Sequence, residues 1–417
     1  MKFVFRSHLP LILLTGILAV LPSATSASDD WPWWRGPDRN GIASAEQEIP
    51  GAFSEADILW SVDLPGRSHG SAIVMGDRVI LAAADEKKQT QSLLCFDRAT
   101  GKPIWTSTIH EGGFTQKTNK KASWASSTPA SDGERVFIPF VNGDAACLTA
   151  VSLESGEKLW QKKICDYKIH QGYGSSPAIH EDLVIVTGDN KLGGAIVAFR
   201  RESGEEAWRI ARAEMPNYPS PIILEAAGKT QLFLTGTERV SSFDPLTGKT
   251  NWEIEGATTE CVTSTVTDGL HIYSSGGYPK NHVAAIKADG SGEVAWETND
   301  RVYVPSMIVH EDHLYAVADG GIALCWDSAT GEEKWKYRLG GNFSASPVLV
   351  GETMVAVSES GMLYLFPAHP DSSEVQNKQQ VADEVFATPT ICGGQVFLRA
   401  AFYEGETRTE KLICFGK

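Results

Sequence analysis

Residues 96–105 read FDRATGKPIW, and five further stretches of the chain repeat this pattern. They are VSLESGEKLW at 151–160, FRRESGEEAW at 199–208, FDPLTGKTNW at 243–252, IKADGSGEVAW at 286–296 and WDSATGEEKW at 326–335. In each copy an apolar stretch ends in a polar turn, whose Gly can take the positive φ of a tight hairpin. A Trp follows on the next strand, and we expect its ring to be buried between neighbouring sheets.

Two columns of residues extend this unit along the chain. With one Trp ahead of the six copies, seven Trp residues form a ladder: Trp60, Trp105, Trp160, Trp208, Trp252, Trp296 and Trp335. A Ser or Thr that leads into an apolar strand follows each of them, and an eighth closes the series: Ser71, Thr128, Ser176, Ser220, Ser264, Ser306, Ser346 and Thr388. Each unit therefore contains four short antiparallel strands, which is typical of a β-propeller blade.

The ends of the repeat region predict how the ring closes. The last unit, 384–417, has three strands and lacks a Trp strand, whereas ILWSVDL at 58–64 is a Trp strand without a preceding blade. We predict an all-β, eight-bladed propeller of four-stranded antiparallel blades over 58–417, closed by the N-terminal strand 58–64. Seven blades is the alternative, because AHPDSSEV at 368–375 stands where the seventh hairpin should be.

The first 57 residues have two further parts. Lys2 and Arg6 precede a short apolar run and the small residues 24–27, which indicates a signal peptide over 1–27 and export to the periplasm or beyond the cell. Since no cysteine lies near the cleavage site and no later stretch is long enough to span a bilayer, neither a lipid anchor nor a membrane span is expected.

Residues 28–57 begin with the Trp-rich stretch DDWPWWRGPDRNG at 29–41. Because Pro and Gly interrupt it, this stretch cannot form a regular helix or strand. We expect a strap that packs Trp31, Trp33 and Trp34 onto one propeller face. The alternative is a segment that borders a ligand site or that docks a partner.

The charge balance excludes some partners. The 417 residues include 37 Lys plus Arg and 52 Asp plus Glu, which gives a net charge of −15. Such a surface repels phosphate backbones and anionic lipids, so neither nucleic-acid binding nor membrane-surface binding is expected. We expect a monomer.

The six repeat copies resemble the tryptophan-docking repeat of propellers related to the pyrroloquinoline-quinone (PQQ) dehydrogenases. The same repeat occurs in the periplasmic propeller component of the outer-membrane barrel-assembly machinery. The resemblance covers residues 58–417, and the segment 29–41 is similar to the WxxWRGPxRxG opening of exported propellers of this kind. It implies the fold and leaves the function open, because one fold supports unrelated activities.

A working PQQ enzyme of this kind would need features that the sequence lacks. The resemblance implies a vicinal disulfide against the quinone and a calcium ion held by Glu, Asn and Asp, but no two of the seven cysteines are adjacent. The only residues whose side-chain oxygens suggest calcium ligands are Asp144, Asp189 and Asn190, and each also fits a turn at the end of a strand. No cofactor is expected, and PQQ with calcium enters only under the alternative. A Cys147–Cys165 bridge stays open, as does the state of Cys261 and Cys392.

The candidate site lies just ahead of the Ser/Thr column, where strands from all blades converge on the channel mouth. Aromatic and polar side chains cluster there: Arg67, His69, Trp124, His170, Tyr173, Tyr218, Glu260, Arg301 and Tyr303. Such a mixture suits a small ligand, a sugar or a peptide, although the rings could simply pack where the strands meet. No catalytic residue and no metal ligand is assigned.

Two functions follow from these observations. The first is a non-catalytic exported scaffold or binding propeller that contacts a protein or a small molecule at the channel mouth. The second is a PQQ-dependent oxidoreductase similar to the alcohol dehydrogenases. The loop at 111–124 carries Lys117, Lys120 and Lys121, so an anionic partner is one expectation and a solvated loop without a partner the other.

Overall fold

A computed structural model describes residues 30–115 and 119–417 together with Met1. The predicted signal peptide, beyond Met1, lies outside the described residues, as do residues 28–29 of the strap and Lys117. Within the described part the chain is all-β apart from one 3-10 turn at Glu55–Asp57, and no helix there is long and apolar enough to cross a membrane. The strands form eight sheets around a central channel.

Blades 1 to 4 follow one another along the chain, with strands numbered from the innermost outward. Blade 1 contains β3 (Ile73–Met75), β4 (Arg78–Asp85), β5 (Thr90–Asp97) and β6 (Pro103–Glu111). Blade 2 contains β7 (Ala130–Ser131), β8 (Arg135–Asn142), β9 (Ala145–Ser152) and β10 (Lys158–Asp166). Blade 3 contains β11 (Ala178–His180), β12 (Leu183–Thr187), β13 (Gly194–Arg200) and β14 (Glu206–Arg212). Blade 4 contains β15 (Ile222–Ala226), β16 (Lys229–Gly236), β17 (Arg239–Phe243) and β18 (Thr250–Glu255).

Blades 5 to 8 continue this order. Blades 7 and 8 each also include one of the first two strands of the described chain. Blade 5 contains β19 (Val266–Thr267), β20 (His271–Gly276), β21 (His282–Lys287) and β22 (Val294–Thr298). Blade 6 contains β23 (Ile308–His310), β24 (His313–Val317), β25 (Ile322–Asp327) and β26 (Glu333–Arg338). Blade 7 contains β27 (Val348–Val350), β28 (Thr353–Val357), β29 (Met362–Pro367) and β30 (Asn377–Gln380), with β1 (Ile42–Ala43) added beside β27. Blade 8 contains β31 (Thr390–Cys392), β32 (Gln395–Glu404), β33 (Thr407–Phe415) and β2 (Ile58–Leu64).

The ring closes as the sequence predicts. The N-terminal strand β2 pairs antiparallel with the C-terminal strand β33, so that Trp60 lies opposite Cys414. The eight-bladed prediction is confirmed and the seven-bladed alternative is wrong. Blade 7 is complete even though its outer strand carries Asn377, opposite Leu365, at the position where the other blades have Trp.

The Trp ladder joins each blade to the next. Six Trp rings cover a Gly in the outer hairpin of the following blade, in the pairs Trp60–Gly101, Trp105–Gly156, Trp160–Gly204, Trp208–Gly248, Trp252–Gly290 and Trp296–Gly331. The indole N–H of Trp60 donates to the Arg98 carbonyl at 2.9 Å, and that of Trp335 donates to the His369 carbonyl at 2.9 Å. The ladder therefore fixes neighbouring blades both by ring contact and by hydrogen bonds.

The expectation that every ladder ring is buried is wrong for five of the seven. Trp60 and Trp296 are buried, at 8% and 9% exposure, whereas the other five are only partly buried. All seven Trp residues stand on outermost strands, where the indole packs on the next blade by one side and the other side can reach solvent. Trp252 differs further, because the extra residue in its partner hairpin places Gly290 under the ring and leaves the indole N–H without a described hydrogen-bond partner.

The Trp-rich segment lies against the innermost strands of several blades. Trp31 is 3% exposed and pairs with Val74 of blade 1, and the Pro32 carbonyl accepts the backbone N–H of Ser131 in blade 2. Further along the segment, β1 pairs in parallel with β27 of blade 7. Residues 30–43 therefore hold inner strands of several blades together.

Arg35 lies at the centre of this segment and is 2% exposed. Its guanidinium donates to the carbonyls of Asn40 and Met307, and it forms no ion pair with a described carboxylate. Burial therefore lowers the pKa of Arg35 to about 9.

Candidate functional site

A chain of hydrogen bonds links the blades at the channel mouth. In six of the eight steps the backbone N–H of one column residue donates to the hydroxyl of the next column residue, at 2.9–3.0 Å: Ser71 to Thr128, Thr128 to Ser176, Ser176 to Ser220, Ser264 to Ser306, Ser306 to Ser346 and Ser346 to Thr388. The Ser264 hydroxyl instead accepts the indole N–H of Trp34 at 2.8 Å. The Ser/Thr column thus joins neighbouring blades around the mouth.

A cavity of about 630 Å³ opens directly above this column. Seven of the nine predicted site residues line it: His69, His170, Tyr173, Tyr218, Glu260, Arg301 and Tyr303. Trp34 lines it from the side of the Trp-rich segment, and Phe386 stacks on His69 with ring centroids 4.5 Å apart. The volume and the mixture of aromatic and polar groups are those of a small-molecule site.

The other two predicted residues lie outside the cavity. Trp124 is 9% exposed and stacks on Phe114, with ring centroids 4.6 Å apart, so its ring packs within blades 1 and 2. Arg67 pairs with Glu384 at 3.7 Å and lies over the Phe386 ring, behind the cavity wall. Both residues support the wall of the cavity instead of facing its interior.

His170, Tyr218 and Glu260 form a polar cluster on one wall. His170 Nδ1 lies 3.0 Å from the Tyr218 hydroxyl and 3.6 Å from Glu260 Oε1. Burial, together with the nearby Glu260 charge, raises the pKa of the Tyr218 phenol. Among the described residues that line the cavity, Glu260 is the single carboxylate, and its side chain is only 10% exposed.

Arg301 and Tyr303 lie next to this cluster. Arg301 Nη1 donates to the Gly277 carbonyl at 2.8 Å, and its guanidinium carbon lies 5.2 Å from the centre of the Tyr303 ring. Burial raises the pKa of Tyr303 to about 12, with Glu260 adding to the rise and Arg301 opposing it. The Tyr303 phenol is therefore close to both charges.

Tyr173 has a structural role in addition to lining the cavity. Its hydroxyl donates to the Thr187 carbonyl at 2.7 Å, and its ring meets Tyr167 edge-on at 5.4 Å. Burial raises the pKa of Tyr173 well above its ordinary value. Its hydroxyl is already used by the protein, so Tyr173 offers a ligand mainly its ring.

The loop that we expected to be basic is partly neutralised. Lys121 Nζ pairs with Glu359 of blade 7 at 2.7 Å, and the Lys120 carbonyl accepts a hydrogen bond from Arg67. Because Glu359 compensates Lys121, the described part of the loop offers less free positive charge than the sequence suggests.

Sequence reasoning missed several residues of the cavity. Trp34 was expected to pack on a propeller face, yet it reaches the cavity through its bond to Ser264. Tyr278 and Gly277 enter from the β20–β21 loop, which follows the Ser/Thr column by more than ten residues. No local pattern in the sequence marks either feature.

The described residues do not fit the calcium set of a PQQ enzyme. They contain no group of three or more His, Cys, Asp or Glu side chains that could hold a metal ion. Of the three suggestive oxygen ligands, Asp189 forms a buried ion pair with Arg212 at 3.2 Å, and neither Asn190 nor Asp144 lines the cavity. Glu260 is the one carboxylate among the described cavity residues, so the cavity lacks the set of Glu, Asn and Asp ligands that the resemblance implies for a calcium ion.

The closed ring of Trp-docked blades defines the chain as a propeller of the PQQ-like repeat class. The family model described as outer membrane protein assembly factor BamB matches residues 89–337 and 279–369, and the chain belongs to this family. BamB of Burkholderia pseudomallei is 23% identical over 355 residues, which cover 80% of this chain and 83% of that protein.

Dehydrogenases of the same build are also similar. A polyvinylalcohol dehydrogenase from a Pseudomonas species is 25% identical over 227 residues. This match covers 50% of the chain and spans only a third of that relative's length. A europium-containing methanol dehydrogenase superimposes with a TM-score of 0.67 at 10% identity, covering 93% of this chain and 98% of that one. At that identity the likeness shows the fold alone.

Proposed function

We propose that this protein is an exported, non-catalytic binding propeller whose working surface is the channel-mouth cavity. The observation that supports this proposal is that loops from several blades bring aromatic, acidic and basic side chains to one cavity of about 630 Å³. Family membership and the match to a BamB over 80% of this chain also support a binding role. The BamB family description makes a protein partner one candidate, and the cavity volume makes a small molecule another.

Export is part of the proposal. The positive residues, the apolar run and the small residues within 1–27 have the order of a signal peptide. We expect the mature protein in the periplasm or outside the cell, as a monomer.

Photo-crosslinking in living cells tests the binding face. A photoreactive phenylalanine analogue would replace Tyr303 in the cavity or, as a control, Tyr337, which is 39% exposed on the outer strand β26. We expect an adduct from position 303 and none from position 337. The added mass would tell a protein partner from a small ligand. Crosslinking from position 337 alone would contradict the proposal.

A PQQ-dependent oxidoreductase is the second candidate, favoured by the polyvinylalcohol dehydrogenase relative. Incubating the purified protein with PQQ and Ca²⁺, and then recording the bound chromophore and dye reduction with alcohols, tests it. We expect neither signal. A stoichiometric chromophore with alcohol-dependent dye reduction would establish the enzyme and overturn the non-catalytic assignment.

A further inference from the structure

Glu260 is a nearly buried carboxylate that faces the cavity without a hydrogen-bond donor from the described chain. Its side chain is 10% exposed, and His170 Nδ1, at 3.6 Å, is beyond hydrogen-bond distance. In such a partly enclosed position a carboxylate attracts a cation more strongly than it would in open water. A ligand that brings a positive group to Glu260 would gain from this attraction.

The surroundings of Glu260 favour a cation. Tyr218 and Tyr303 line the same cavity as Glu260, and His170 Nδ1 lies 3.0 Å from the Tyr218 hydroxyl and 3.6 Å from Glu260 Oε1. Aromatic rings beside a carboxylate form the usual environment of a bound ammonium group, because the ring faces attract positive charge.

Arg301 supplies the opposite charge in the same cavity. One guanidinium nitrogen is held by the Gly277 carbonyl and the plane lies near Tyr303, so the group is oriented before any ligand arrives. It forms no ion pair with a described carboxylate, although its charge acts at longer range on Asp319. A fixed guanidinium with free N–H groups matches a ligand carboxylate.

We propose that the cavity binds a small zwitterion, with an ammonium group on Glu260 and a carboxylate on Arg301. This inference rests on the proposed binding role of the mouth and names the class of ligand. Glu260, Arg301 and Tyr303 line one cavity, with the Arg301 guanidinium carbon 5.2 Å from the centre of the Tyr303 ring, so one small molecule can contact both charged groups. A cavity of about 630 Å³ admits a free amino acid or a short peptide.

Calorimetric titration with free amino acids and dipeptides at millimolar concentrations tests the proposal. Any ligand that binds is then compared with its N-acetyl and carboxamide forms, which remove one charge each. We expect Glu260→Gln to weaken the zwitterion by at least about 30-fold, as loss of one partner of a desolvated charge pair does. Arg301→Gln should weaken it by about 3- to 5-fold, because Arg301 is exposed. The matched controls are Glu253→Gln and Arg239→Gln, which alter an ion pair near the outer strand β18 and should leave binding unchanged.

Three results would overturn the proposal. They are equal binding of the N-acetyl form, binding of a sugar acid without an ammonium group in place of the zwitterions, and no binding by any member of the panel. Since Arg301 is exposed, its variant stays informative even if Glu260→Gln fails to fold. If no zwitterion binds but position 303 still crosslinks in cells, only the ligand class is wrong. If both experiments fail, the binding face is wrong as well.

Discussion

The indole ring of Trp60 lies on Gly101, and this contact joins the eighth blade to the first. A Cβ built on Gly101 would meet Trp60 Cε3 at 2.6 Å, and Gly101 has a φ of +70°. Two constraints therefore require Gly at this position: the positive φ of the backbone and the close approach of the Trp60 ring. The contact depends on β2 pairing with β33, so it forms only when the two ends of the propeller meet.

We predict that Gly101→Ala destabilises the protein more than Gly112→Ala does. Gly112 has a φ of +72°, but no atom lies within 4 Å of a Cβ built there. In both variants the left-handed backbone conformation should lower the free energy of unfolding by about 1–2 kcal/mol. Gly101→Ala should lose a further 1–3 kcal/mol or so, because the Trp60 ring must move. Chemical denaturation measures both, and equal losses would contradict the role of the ring.

Trp208→Ala should cost about 2–3 kcal/mol of unfolding free energy, less than the 3–5 kcal/mol typical of a fully buried aromatic side chain. The ring covers Gly248 and its N–H donates to the Pro245 carbonyl at 3.2 Å, but the side chain is only partly buried. Leu246→Ala is the control, because Leu246 is 50% exposed in the neighbouring hairpin and should change stability by about 0.5 kcal/mol or less. Indistinguishable losses would show that the ladder does not stabilise the blade junctions.

The sequence predicts the blades because each blade is encoded locally. The hairpin Gly, the following Trp and the small residue opposite it all lie within about a dozen residues, as in the cross-strand pairs Cys95–Trp105 and Ala198–Trp208. Closure is also predictable, because an unmatched Trp strand at one end complements a missing one at the other.

The cavity is only partly predictable, because its remaining walls come from distant segments. Trp34 bonds to Ser264, 230 residues away, and Lys121 pairs with Glu359, 238 residues away. No repeating pattern in the sequence marks either contact. The exclusion of Trp124 from the cavity likewise depends on its packing against Phe114, a neighbour in a loop that the repeat does not describe.

The hairpin aspartates should make stability fall in acid. Asp97 and Asp327 each accept hydrogen bonds from the hydroxyl and backbone N–H of a Thr three residues later, which lowers both carboxyl pKa values below the ordinary value near 4. Carboxyl groups with lowered pKa values contribute stability above the unfolded pKa and lose it as the pH falls through the folded value. The melting temperature should therefore fall below about pH 4.

A double variant tests whether these two hairpins cause that fall. Asp97→Asn with Asp327→Asn should flatten the acid limb of the melting profile, since neither position then titrates. The control is Asp63→Asn with Asp77→Asn, which removes the same charge from side chains that are 74% exposed. An acid limb that is equally steep in wild type and double variant would contradict the assignment.

All seven cysteines should titrate as free thiols when the protein is denatured without reductant. Cys147 lies opposite Lys163 and Cys165 lies opposite Ala146, and since successive residues of a strand face opposite sides, the two sulfurs are on different faces of blade 2. The Cys165 thiol instead donates to the Gly188 carbonyl at 3.3 Å, and burial raises its pKa to about 11. Bridging the pair would require one strand to shift by a residue. A thiol-reactive dye should count seven in denaturant and far fewer in the folded protein. A count of five in denaturant, with Cys147 and Cys165 the two unlabelled residues, would establish a bridge and contradict the register of β9 and β10.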